Sequence, residues 1–139
     1  MGIAINWLAV VLATVVGMIA AKTWFTPVTF GPTWRQLTGI TEKDSQKAGK
    51  TPILIVLVAN FITAIVLTAA ISISSTYFEN NSLWHALLIG FVTWLAFSAT
   101  TLTTHNIFEQ KSQKLTLINN GYQLVLFLIM ALVIGLIGA

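Results

Sequence analysis

Four stretches of the chain carry no Asp, Glu, Lys or Arg: Ile3 to Ala21, Ile53 to Phe78, Leu83 to Phe108 and Leu115 to Ala139. Each is near or above the ~20 apolar residues with which an α-helix crosses the ~30 Å hydrocarbon core of a bilayer. Only helices and closed barrels satisfy their backbone groups in lipid, and these runs lack the strict apolar and polar alternation of barrel strands. The pattern predicts an all-α membrane protein: four transmembrane helices in a bundle, over about residues 3–24, 52–77, 83–108 and 115–138, in one domain. The first run lacks a basic N-terminal region and a small-residue cleavage site, so it is expected to remain in the mature protein.

Polar positions concentrate between the runs. The longest connection, "WFTPVTFGPTWRQLTGITEKDSQKAGK", has Pro27 and Pro32, which prevent simple continuation of helix one. Pro32 suits the start of a short helix carrying Trp34, Arg35 and Leu37, Gly39 its end, and Thr41 the cap of a further turn. Trp24, Phe25, Phe30 and Trp34 beside basic residues fit the headgroup level, as an interfacial anchor or, with Pro27, as a lid. Within helix one, Ala9, Ala13, Gly17 and Ala21 form a small-residue stripe of the kind that lets helices approach closely, inside one chain or between two.

Composition agrees with the pattern. At 139 residues, 56% hydrophobic and 8% charged, the chain is far more apolar than a soluble domain of its length. Its net charge of +3 rests on seven Lys and Arg. All seven lie in or beside the connections after helices one and three, from Lys22 to Lys50 and at Lys111 and Lys114, so topology explains them and no nucleic-acid partner is expected. By the rule that short basic loops stay cytoplasmic, both connections face the cytoplasm and both termini lie outside, in the inner membrane. The absence of cysteine excludes disulfides and thiolate chemistry.

The rise of ~1.5 Å per residue collects the remaining polar groups in one layer near the basic connections. His105, Asn106 and Glu109 fall within about a turn of that boundary, Asn119, Asn120, Tyr122 and Gln123 in the first two turns of helix four, and Asn60 roughly 12 Å inside. Residues three and four apart share a helix face, giving the stripes Trp94, Ser98, Thr101, His105 and Glu109 on helix three, Asn119, Tyr122 and Leu126 on helix four, and Asn60, Ala64 and Thr68 on helix two. If they face inward they line a recess whose ligand-binding residues are Asn60, Thr101, His105, Glu109, Asn119 and Tyr122. Such groups in spans also serve simply as interhelical hydrogen bonds or, for Glu109, as a surface acid paired with Lys111 or Lys22. His85 lies about 30 Å from His105 along the same helix, so no metal site is expected, nor any cofactor.

Asn6-Trp7, "WFTP" at Trp24 to Pro27, "FGPTW" at Phe30 to Trp34, "FE" at Phe108 and Glu109, and "NNGY" at Asn119 to Tyr122 occur in this order across nearly the full chain. In this the chain resembles a bacterial family catalogued as domain of unknown function 1761. It departs from that pattern at Phe25, where Tyr is common, and at Gln123, where His is common. The resemblance implies an integral membrane protein and supplies no mechanism.

Three readings stay open. The leading one is binding or passage of a small or lipid-like ligand at the recess. A second is an assembly module whose helix-one stripe meets a partner, with a homo-oligomer expected because four short spans bury little surface. The third is a membrane enzyme using His105 and Glu109 as acid and base, although no nucleophile motif accompanies them.

Overall fold

Asn6 starts the fold: its side chain accepts the Ala9 N–H and opens α1, Trp7–Trp24. A computed structural model describes residues 4–139. The expected first-span start at Ile3 lies outside them. Two short helices follow, α2 (Gly31–Thr38) and α3 (Glu42–Ala48), then α4 (Thr51–Tyr77), α5 (Leu83–Thr93), a six-residue π-helical turn (Trp94–Ala99), α6 (Thr100–Phe108) and α7 (Gln113–Ile137). Among the described residues there is no strand. Four helical stretches are long and apolar enough to cross a membrane: Trp7–Trp24, Thr51–Tyr77, Leu83–Phe108 and Gln113–Ile137.

Their boundaries follow from local chemistry. Ser82 and Ser112 accept the N–H groups of His85 and Leu115 and so cap the last two spans. Gly39 ends α2 in the left-handed conformation, at φ 74°, a geometry that costs glycine nothing. Thr41 and Asp44 exchange side-chain and backbone bonds to form a capping box on α3. Those two backbone and side-chain contacts with Thr41 hold the Asp44 carboxyl below the usual carboxylate range, with a smaller contribution from the Arg35 charge.

The four spans assemble around α7, which packs against α1, α4, α5, the π turn and α6. The core lies toward the end of the molecule that holds the termini. It joins Ala9, Val10 and Ala13 of α1, Ala64, Leu67 and Ile71 of α4, Ala86 of α5, and Leu126, Met130, Ala131 and Ile134 of α7. Small residues set these distances. A Cβ on Gly90 would lie 2.7 Å from the Ala131 Cβ and 3.1 Å from the Phe127 carbonyl, so α5 and α7 meet nearly backbone to backbone there. The Asn6 amide also donates to the Gly138 carbonyl at 2.6 Å, tying the first span to the last.

The small-residue stripe of α1 is used within the chain. Ala9, Ala13 and Gly17 are buried, and Gly17 faces Met130, Leu126 and Asn60. Burial on α1 stops at Gly17 and on α4 begins at Asn60, so the half of the molecule nearer the basic connections is packed less tightly. Grooves open there.

Candidate functional site

The π turn decides how the third span uses its polar stripe. A π turn is an α-helix carrying an extra residue, and it changes which side chains share a face. At its start, Trp94 turns toward α7 and donates its indole N–H to the Asn120 carbonyl at 3.1 Å. Below it, α6 is tied to α7 twice more: Asn120 donates to the Thr103 hydroxyl at 2.9 Å, and the buried Asn106 donates to the Thr116 hydroxyl at 3.0 Å. These bonds hold α6 on α7. Meanwhile α4 packs on α1, α5 and α7, and a groove is left between α4 and α6 with α7 as its floor.

The groove has a volume of about 420 Å³ and opens along one side. Ala59, Asn60 and Thr63 line it from α4, Phe97, Ser98, Thr101, Leu102 and His105 from the π turn and α6, and Gln123, Leu126 and Phe127 from α7. By helical rise, His105 sits ~5 Å from the basic end of its span, Thr101 ~10 Å, Asn60 ~13 Å, and Ser98 and Gln123 ~15 Å. Polar groups therefore run as a ramp from the surface to mid-depth. Apolar rings stand beside them.

Hydrogen bonding separates these groups by role. Thr63 and Thr101 donate to the carbonyls of Ala59 and Phe97 in their own helices. Asn60, only 4% exposed, directs its amide N–H at the Met18 sulfur at 3.3 Å. The side chains of Ser98, His105 and Gln123 have no hydrogen-bond partner among the described residues, and none of their polar atoms is among the buried, unpaired ones. They face the groove.

Of the six residues the sequence assigns to a recess, Asn60, Thr101 and His105 come together here, joined by Ser98 from the helix-three stripe and by Gln123. Glu109 lies outside, exposed and paired with Lys111 at 3.2 Å; its backbone N–H caps α6 on the His105 carbonyl at 2.9 Å, but its carboxylate makes no bond to the imidazole. Tyr122 does not line the groove; its ring meets Phe25 edge to face at 5.3 Å between ring centres and its hydroxyl lies beside Asn60. Asn119 is half-buried and lines neither groove wall nor floor. Thr63 carried no signal in the sequence beyond being one hydroxyl among many on α4. Gln123 was visible as a polar residue in a span, but its angular position relative to α6 depends on the π turn. Among the described residues no three His, Asp or Glu side chains gather as metal ligands.

The aromatic connection packs over the α1 and α7 ends. Trp24 stacks on Phe30 at 4.5 Å and rests against Gly121, where a Cβ would come within 3.2 Å of its ring. Phe25 bridges Trp34 and Tyr122. Gly31 permits the tight return of the chain, since a Cβ there would stand 2.6 Å from the carbonyl oxygens of Phe25 and Thr26. Pro27 is exposed beside this cluster. Trp24 thus sits on the Gly121 face of α7, and none of Trp24, Pro27 and Trp34 lines the groove.

Fold and site together define an all-α membrane protein with four spanning-length helices and a polar groove open to the side. The chain belongs to the family described as "Protein of unknown function (DUF1761)", whose model matches residues 8–135. No curated protein and no solved structure matches it.

Proposed function

We propose that the protein lies in the inner membrane, basic connections toward the cytoplasm and termini outside, and binds or passes a small, lipid-like ligand in the groove between α4, α6 and α7. One observation carries this reading: Ser98, His105 and Gln123 present hydrogen-bonding groups without a protein partner at levels that hydrocarbon would otherwise cover. A polar group left unsatisfied in lipid costs several kcal/mol, so these groups call for water or a ligand. Phe97, Leu102, Leu126 and Phe127 fit the apolar body of such a ligand, while the amide, hydroxyl and imidazole fit a head that both donates and accepts. No carboxylate lines the groove, so an anionic or neutral head is favoured over a cation.

Native mass spectrometry of the protein released gently from its own membranes tests this. The expected result is a reproducible extra mass that disappears in Gln123→Leu and weakens in Ser98→Ala while persisting in Glu109→Gln. An extra mass indifferent to Gln123→Leu and Ser98→Ala, or no extra mass at all, contradicts the reading.

A further inference from the structure

A second groove lies between α1 and α4, nearer the start of α4, and its chemistry differs. It holds about 750 Å³ between α1 and α4 and is lined by Val15, Met18, Ile19 and Ala21 on one wall and by Pro52, Ile53, Val56 and Leu57 on the other. Lys22 stands at its mouth. The groove exists because α1 has no buried residue after Gly17 and α4 none before Asn60, so the helices are not packed together over these turns. It extends ~10 Å along α1 from Lys22 inward, about two-thirds of one leaflet's share of a ~30 Å hydrocarbon core.

We infer that this groove is a site for one anionic phospholipid, its acyl chain along the α1 and α4 walls and its phosphate at Lys22. The walls are apolar throughout, which suits hydrocarbon. The only charged side chain lining the groove is the Lys22 ammonium, and no acid accompanies it. Among the described residues the single salt bridge joins Lys111 to Glu109, so Lys22 keeps its charge free for an outside partner. At the facing wall, α4 begins with no acidic residue in its first turn and no side-chain cap, adding the positive end of a long helix at the same level. Basic pockets between spans at the membrane surface recognise anionic headgroups in this way. The inference is independent of the first groove and of the chain's orientation.

The test titrates delipidated protein with phosphatidylglycerol or phosphatidylcholine of identical acyl chains in detergent micelles and counts lipids by native mass spectrometry. One phosphatidylglycerol per chain is expected, held about fivefold more tightly than phosphatidylcholine, the scale of one lysine beside an anionic headgroup. Lys22→Gln, at an exposed position, removes the preference, Ala21→Phe fills the groove and lowers retention of both lipids, and Lys114→Gln changes neither. Equal retention of the two lipids by the wild type overturns the inference, as does a preference that survives Lys22→Gln or retention unaffected by Ala21→Phe. So does efficient disulfide formation between copies carrying Ile53→Cys in the membrane, which makes a second copy of the chain the occupant.

Discussion

Gly90 and Gly17 are both glycines at helix crossings, yet their neighbours make them unequal. At Gly90 an added methyl meets the Ala131 Cβ and the Phe127 carbonyl, which cannot move without shifting backbone. At Gly17 it meets the ends of Met130 and Leu126, which are flexible side chains. Gly90→Ala is therefore expected to cost about 1–3 kcal/mol, and Gly17→Ala clearly less. Unfolding in mixed micelles compares them, and a larger loss at Gly17 would refute the packing described for α5 and α7. The Asp44 carboxyl offers a pH-dependent residue. Because its folded value is depressed, its contribution to the α3 cap is present above the unfolded value and fades as pH falls through the folded one. Hydrogen exchange over residues 41–48 is expected to accelerate on acidification in that window and to be already fast in Asp44→Asn at neutral pH; identical exchange in the variant would discount the box. These local devices were legible in advance: Pro32, Gly39 and Thr41 stand where they begin, end and cap helices. Side-chain partners were less so. Asn106 and Asn120 read as members of a polar layer, but that they fasten α6 to α7 depends on register between helices.

The π turn is the element on which the candidate site depends, and hydropathy gave no sign of it, because Trp94–Ala99 continues an apolar run without Pro or Gly. A uniform helix through Leu83 to Phe108 puts Trp94 and His105 on one stripe. The extra residue instead sends Trp94 to α7 and leaves Ser98, Thr101 and His105 toward α4. Removing one residue from the turn, as by deletion of Ala96, is expected to restore a continuous α-helix without changing which faces of α5 and α6 meet α7. The deletion variant should fold with unchanged or higher thermal stability and keep Thr101 and His105 toward α4; a variant that fails to fold would show that the turn is more than one extra residue. The aromatic connection gives the complementary case. Its place beyond the end of α1 was legible from Pro27 and Pro32, whereas the face it covers was not, since Trp24 chooses α7 by resting on Gly121.

Across the whole molecule, packing is uneven. Small residues draw the spans together in the half near the termini, and the half near the basic connections keeps, among others, the two grooves described above, one carrying partnerless polar groups and one apolar with a lysine at its mouth. Membrane class and the approximate spans followed from run length alone, while the hub role of α7 did not, because an apolar run says nothing about which neighbours it meets. The proposed orientation is directly testable in a chain that has no cysteine. A cysteine at Asn80 should react with a membrane-impermeant thiol reagent on intact cells and one at Lys43 only after lysis; the reverse pattern would invert the topology. The central claim, that the groove between α4, α6 and α7 holds a particular ligand, is met most directly by photocrosslinking in intact membranes. A photoreactive amino acid placed at Ala59, on the groove wall, is predicted to capture one dominant small-molecule mass, while the same group at the outward-facing Leu117 captures the mixed bulk phospholipids. The same phospholipid mixture at both positions would mean that the groove is ordinary lipid-facing surface, and the account would be wrong.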